Sequence, residues 1–503
     1  MGLTRNTSLA LVAQVALGAA CSPGEAPIVP PPPHAGHYAA PGGTSGGDGS
    51  IYRPWDLATA LQGAGGKIRP GDTLWVRGGT YRGPFRSTVQ GTAGAPVIVR
   101  QFPGERSVID GAGATSDNFV VAGDWSTFSD LEFTNSDPTR TTLSTASDFR
   151  RIVVSNDAAH TKLINLIIHD GGIAIYTFAT QPDVEIYGCI IYNNGWQGPD
   201  RGHGHAVYVK NNTGPLLIRD NIMFNQFGWG IHEYSDSGSG LLNNIHVDGN
   251  VSFNNGTLSN NSTEGNMLVG GEEPVNQGSV TANLTFYPSG VGGTNVQLGY
   301  LTVQNESVAF QNNYIVGGNL PLDVRYWTQA TVSGNTLYGA GTMVNLSDTT
   351  TLTQQWSGDQ YYRDPGAAAW KYAGTSYTFS GWQAATGLGA TDQAVAGGPT
   401  APWVLVRPNA YQAGRATIIV YNWTRQASVA VDASGVLRTG DRYEVRNVQD
   451  LFGSPLVSGT FGGGPLAIPM TAVQPPTPIG MASSPAPVTG PDFNVFLLTT
   501  AVP

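Results

Sequence analysis

The chain has 503 residues, of which only 12% are charged while 67 are glycine, a profile that suits a turn-dense β protein and argues against a helical one. Its formal net charge of −10 leaves no footprint for nucleic-acid binding by counterion release, so an anionic ligand needs a local basic patch. The length allows a sizeable core and two or three domains.

Residues 1–20 carry Arg5, an apolar stretch from Leu9 to Ala20 and the small residues Gly18, Ala19 and Ala20 at its end. This is the layout of a secretory signal and is too short to span a bilayer, so export is expected: secreted, periplasmic or at the cell surface. Leu17-Gly18-Ala19-Ala20-Cys21 resembles a bacterial lipoprotein lipobox, with Gly18 where that pattern usually has Leu. Two outcomes stay open, a lipid anchor at Cys21 as the membrane link or ordinary cleavage after Ala20. Residues 21–36, with Pro30 to Pro33, read as an extended tether.

Tyr52 to Gly63, with Trp55, Leu57, Ala58, Ala60 and Leu61, predicts one short amphipathic helix. Its place in the chain suits a cap on the open end of a repeat array. From Asn165 onward a short motif recurs: an Asn or a small residue, two or three apolar residues, an Asn/Gly turn, then a second short β-type run. Its first position falls at Asn165, Cys189, Asn221, Asn250, Asn283, Asn313 and Asn335, spaced 22 to 33 residues apart. Such a period, built from short strands without helical periodicity, predicts a parallel β-helix in which each coil is one rung. Cys189 sits at a repeat position and is expected as a buried free thiol; with Cys21 it makes no disulfide framework.

Thr73-Leu74-Trp75-Val76-Arg77, Gly78-Gly79-Thr80-Tyr81, Ala95-Pro96-Val97-Ile98-Val99-Arg100 and Val108-Ile109-Asp110-Gly111 resemble the first coils of bacterial right-handed parallel β-helix proteins of the pectin-lyase-like, carbohydrate-active type. The resemblance covers about residues 37–350. It implies an all-β fold and a glycan ligand but no one reaction, because that superfamily holds polysaccharide lyases, glycoside hydrolases, epimerases and non-catalytic binding proteins. The β-helix is assigned to residues 37–354. Residues 355–401, rich in Gly, Ala, Thr and Trp, read as a linker or wrap-around segment. Residues 402–503 hold short alternating strands such as Trp403-Val404-Leu405-Val406 and Ala416-Thr417-Ile418-Ile419-Val420-Tyr421, which predict a β-sandwich. It resembles accessory sandwiches of carbohydrate-active enzymes; a structural cap on the second end of the solenoid is the other reading.

In a strand, side chains alternate between faces. Setting Ile173, Val207, Ile231, Met267, Val296 and Leu322 inward leaves an outward stripe of Ala174/Tyr176, Tyr208/Lys210, His232/Tyr234, Leu268/Gly270, Gln297/Gly299 and Asp323/Arg325. Rungs stack about 4.8 Å apart, so Lys210, His232 and Tyr234 fall within reach of one sugar ring. The coil carrying Trp196-Gln197-Gly198-Pro199-Asp200-Arg201-Gly202-His203-Gly204-His205 is longer than its neighbours, and such an insertion predicts a loop beside the same stripe. The coil after His232 is also long and holds Glu264. Six of the eight histidines lie between His160 and His246, and histidine exchanges protons near neutral pH.

Other chemistries compete. Gly202-His203-Gly204-His205 offers a zinc or copper pair, without a Cys or a familiar His spacing to support it. Asp200, Glu233 or Glu264 with backbone carbonyls would suit Ca2+, without a loop motif. Gly202-His203-Gly204 resembles the Gly-His-Gly of pectin-degrading hydrolases, whose paired aspartates on the preceding coils are not matched, since His169-Asp170-Gly171-Gly172 offers one. Glu233 falls in the inward register, and a carboxyl there should have a raised pKa.

The leading expectation is an exported monomeric enzyme that cleaves an acidic polysaccharide by β-elimination. Lys210, Arg201 and Arg325 would neutralise the uronate carboxylate, His205 or His232 would take the C5 proton, and Tyr234 would protonate the leaving oxygen. An inverting glycoside hydrolase needs two carboxyl groups roughly 6.5–9.5 Å apart, for which Asp200, Glu233, Asp323 and Glu264 are the candidates. A non-catalytic glycan binder would use Trp196, Trp229 and Trp327 as sugar platforms, with His203 and Tyr208 among the contacts in every case.

Overall fold

A computed structural model describes residues 34–143, 150–260, 264–348 and 353–500. The expected signal sequence, Cys21 and most of the expected tether lie outside the described residues. No helix among those described is long and apolar enough to cross a membrane.

Three sheets of twelve strands run along a solenoid, and the chain visits each sheet once per coil, so the connections are short and the pairing is parallel. One sheet starts at Phe85–Ser87 and carries Ile175–Thr177, Val207–Val209 and Ile231–Glu233; it floors a cleft on the side of the solenoid. A second starts at Gly79–Arg82 and ends at Gln393–Val395. Inward residues such as Val207, Ile231, Met267, Val296 and Leu322 are fully buried and stack into one core.

The recurring asparagines form a ladder along one edge. Each backbone N–H donates to the next side-chain Oδ1: Asn221 to Asn250 at 3.1 Å, then Asn250 to Asn283, Asn283 to Asn313 and Asn313 to Asn335 at 2.9 Å each. The side-chain amides meanwhile donate back to strand carbonyls, as Asn335 Nδ2 does to Phe310 O at 3.0 Å. A buried turn thereby satisfies the backbone groups that strands leave open at corners. Buried Cys189 donates its N–H to Asn221 Oδ1 and holds the same position. Asn165 does not. It occupies the left-handed site one residue earlier, with φ 54°, where Gly188, Asp220 and Gly249 stand in later coils, and Leu166 takes the ladder place.

The ladder runs past residue 354. Asn335 donates to Asp359, and Asp359 N donates to Asp392 Oδ1 at 3.1 Å. Residues 355–395 are therefore further solenoid, with Gln355–Ser357, Gln360–Tyr362 and Trp370–Tyr372 pairing in parallel with the preceding coil. The linker expected there is corrected: sparse apolar periodicity hid strands whose core residues are Trp356, Tyr361 and Trp370.

Helix Leu57–Leu61, capped by Asp56, buries Leu57, Ala60 and Leu61 over the first coil, as the amphipathic pattern predicted, over fewer residues. The far end is closed by a second helix, Phe379–Thr386, whose Phe379 and Trp382 pack on Tyr361, Trp370 and Trp356.

A five-stranded antiparallel sheet and the pair Ser428–Val431 with Leu466–Pro469 form the C-terminal sandwich. It does not close the end of the solenoid. It lies along the flank, where Ile419, Tyr421, Phe493 and Val495 pack on the outward side chains Ile222, Phe224, Val251, Phe253 and Phe286. A run of outward apolar residues on one sheet thus marks a covered face. Below this seam lies an ionic chain: buried Arg140 meets Asp170, His169 Nδ1 lies 2.8 Å from Asp170, and His169 Nε2 lies 3.1 Å from Glu132. Asp170 Oδ1 also accepts the N–H of Ile479 at 2.8 Å, which ties the C-terminal segment to the solenoid.

Candidate active site

The cleft sheet sets its outward residues in rows. Tyr176 pairs with Tyr208, Tyr208 with His232, and His232 with Leu268. The parity of the predicted stripe holds, but Ile175 rather than Ile173 aligns with Val207, so Tyr176 stands beside Tyr208 and not beside Lys210. Just before the strands, a second row places His205 and Trp229 on successive coils, Ala206 N donating to Trp229 O at 3.1 Å. Just after the strands come Lys210 and Tyr234.

The long insertion folds as a hairpin, Trp196–Gln197 against Gly202–His203, and forms one wall of the cleft. Gln197 N donates to Arg140 O, and Gly202 N donates to Ser259 Oγ, so the wall is held from both sides. The hairpin returns to the sheet through Gly204, at φ 91°, where a Cβ would lie 2.4 Å from Gly195 Cα. Two glycine backbones cross there, and Gly202 is hemmed separately, a Cβ on it lying 2.3 Å from Phe227 O.

These elements enclose a cleft of about 780 Å³. Its floor is an aromatic cluster: Tyr208 and His232 are 4.8 Å apart, His232 and Tyr234 are 4.8 Å apart and nearly parallel, and the rings of His205 and His232 stack at 4.0 Å. Arg201, Lys210, Glu264, Asp236, Asp117 and Arg151 stand around it. Lys210 Nζ lies 3.5 Å from Asp236 and Arg201 lies 3.6 Å from Glu264.

Burial, reinforced by the positive charges of Arg201 and Lys210, lowers the His232 pKa to about 3. Burial and the adjoining His232 also push His205 well below the usual imidazole range, so both rings are neutral at neutral pH. The phenols of Tyr208 and Tyr234 are raised by burial and stay protonated. Burial also raises Glu264, against the pull of Arg201.

Of the predicted residues, Arg201, His203, His205, Tyr208, Lys210, Trp196, Trp229, His232, Tyr234 and Glu264 line this cleft. Four do not. Glu233 points into the solenoid interior between Val209 and Val269, fully buried, with both carboxyl oxygens unpartnered, and burial raises its pKa. It is withdrawn as a catalytic group, and it shares no cation with Asp200 and Glu264. Asp200 reaches the site through His203, whose Nε2 lies 2.9 Å from its Oδ1, and through Arg201, whose Nε lies 3.9 Å from its Oδ2. Asp323 and Arg325 bond each other three rungs beyond His232, roughly 14 Å away at the usual strand spacing. Trp196 is packed face to face on His203, and Trp327 is buried with its Nε1 donating to Leu298 O, so neither presents a sugar platform. Among the described residues no group of three or more His, Cys, Asp or Glu side chains is set to hold a metal ion. Tyr176, Asp117, Arg151, Asp236 and Tyr300 add further polar side chains to the lining. The predicted outward stripe already held Tyr176, two residues out of register; the others leave regular strands, where periodicity has no purchase.

Fold and cleft together define a right-handed parallel β-helix protein with a candidate site on the side of the ladder. A family model described as a right handed beta helix region matches residues 107–252. Among solved structures, the chain is similar to a GH136 lacto-N-biosidase from Eubacterium ramulus, at 13% identity and a TM-score of 0.46 over 72% of this chain and 67% of that one. It is also similar to XylC in complex with xylose, at 11% identity and a TM-score of 0.43 over 92% and 99% of the two chains. A third is a mannuronic acid specific polysaccharide family 6 lyase from human gut microbiota, at 12% identity and a TM-score of 0.39 over 68% and 88%. No curated protein sequence matches the chain. Likeness at this level of identity is likeness of fold.

Proposed function

We propose that the protein is a carbohydrate-active enzyme that cleaves an acidic polysaccharide by β-elimination in this cleft. The observation that carries the reading is the composition of the floor: neutral imidazoles beside protonated phenols, with Arg201 and Lys210 at its edges. Elimination needs an uncharged base, an acid and a cation near the uronate carboxylate. His232 takes the C5 proton, the electron pair forms the C4=C5 bond as the C4–O bond breaks, and the leaving oxygen takes the Tyr234 hydroxyl proton. Tyr234 suits the acid role because it follows the strand that carries His232 and its ring lies 4.8 Å from the imidazole and nearly parallel to it. Lys210 and Arg201 offset the carboxylate charge.

A panel of purified acidic and neutral polysaccharides, followed by ultraviolet absorbance and by reducing ends, tests the reading. Unsaturated uronide product supports elimination; reducing ends without that absorbance reject it. The second outcome fits a hydrolase, a reading favoured by one observation, cleft-lining Glu264, whose pKa burial raises against the pull of Arg201.

A further inference from the structure

The backbone N–H of Trp229 donates to His205 Nδ1 at 3.0 Å. An amide N–H only donates, so Nδ1 must carry a lone pair, and the proton of the neutral ring resides on Nε2. Stacking of coils produces this bond, since Trp229 follows His205 in the row before the cleft sheet. Gly228 permits it: a Cβ there would lie 2.8 Å from His205 Nδ1 and 2.9 Å from Cε1. A second proton on the ring is disfavoured by burial, by His232 stacked at 4.0 Å, and by Arg201 and His203 nearby. With Nδ1 occupied, His205 has no lone pair to offer the substrate.

We infer that His205 is an uncharged hydrogen-bond donor, its tautomer set by the Trp229 backbone amide, and that its Nε2–H holds the substrate carboxylate on which charge builds during elimination. The inference rests on the elimination reading for the identity of that partner. It separates two histidines that sequence treated as interchangeable: His232 is the base, and His205 keeps its proton throughout. A donor that stays neutral stabilises developing negative charge without competing for the proton being moved.

Nitrogen-15 NMR of the full chain at neutral pH reads the tautomer directly, the signals being assigned by their loss in His205→Gln. Unprotonated Nδ1 and protonated Nε2 are expected; a protonated Nδ1 overturns the proposal whatever the substrate. On a uronate polymer, the glutamine amide nitrogen of His205→Gln reaches the Nε2 position, whereas that of His205→Asn reaches the Nδ1 position. His205→Gln should therefore retain kcat within about tenfold while His205→Asn loses about 10²–10³-fold, the usual range for one such donor. Equal losses in the two, at equal melting temperature, would remove the donor role. Absence of unsaturated product from the parent protein sinks the elimination reading and the carboxylate partner with it, and leaves the NMR result to judge the tautomer alone.

Discussion

His232 in the cleft and His169 under the seam stand a few coils apart on adjoining sheets of one solenoid, yet their surroundings drive them to opposite charge states. Burial disfavours the cation at both. At His232 only Arg201 and Lys210 add to that burial, and the ring is neutral with a pKa of about 3. At His169 the bonds to Asp170 and Glu132 outweigh burial and hold the pKa at about 9. Chemistry gathers where a buried ring is left without a carboxylate, and cohesion where carboxylates flank it. The difference implies that the cleft can be altered without loosening the fold, and the seam without touching the chemistry.

The largest expected effect tests the cleft half. His232→Ala should lower the rate by about 10²–10⁴-fold, as loss of a proton-transfer group does, with the β-rich fold retained by circular dichroism. His246→Ala serves as the control, because that ring bonds Ser279 and Asn244 on another sheet. Equal activity of His232→Ala and parent on the best substrate would sink the site assignment but not the fold.

The seam half is broken by Arg140→Met, which takes the buried guanidinium away from Asp170 and from the Ile479, Asn193 and Gly195 carbonyls and leaves His169 beside the carboxylate. A stability loss of about 3–5 kcal/mol in denaturant titration is expected, with little change in activity of the molecules that remain folded. A large drop in kcat at full folding would contradict the division.

The next effect depends on pH. The His169 pKa rises from 6.5 unfolded to about 9 folded, so its contribution is fully present below pH 6.5 and is lost as pH rises through 9. The stability difference between parent and His169→Gln should narrow across that window, by about 3 kcal/mol at most. A difference that stays level from pH 6 to 10 would show that His169 is not charged in the seam.

Asp359 continues the asparagine ladder with a carboxyl, and burial raises its pKa to about 7 despite the N–H donated by Asn335. Its folded pKa lies above the unfolded 3.8, so its stabilisation is present below pH 3.8 and is gone above pH 7. Asp359→Asn should raise stability by about 1–3 kcal/mol at pH 8, the cost of a buried polar group left unmatched, and far less at pH 4. Smallest of all, Glu233→Gln should change stability by less than about 1.5 kcal/mol, as a volume-conserving swap, and leave the rate untouched. A large loss of rate would return Glu233 to the catalytic set.

Sequence alone determined the coil, because the period of Asn221, Asn250, Asn283, Asn313 and Asn335 and the alternation around Val207 and Ile231 are local and repeat in every rung. It also determined which face carries Tyr208, Lys210, His232 and Tyr234, since alternation has a period of two and parity survives a slip of two residues, as it did at Ile175. What it could not supply depends on contacts across coils. The solenoid beyond residue 354 is stacked by bulky aromatics, and the seam against the sandwich joins residues far apart in the chain, such as Phe253 and Phe493. The rim of the cleft comes from turns, whose course follows packing rather than period. Alternation had already set Glu233 inward, whereas only the tertiary structure separates Asp323 and Arg325 from the site, because distance along a ladder is set by how rungs stack. The same stacking brings the Trp229 amide to His205 and so decides which histidine can accept a proton.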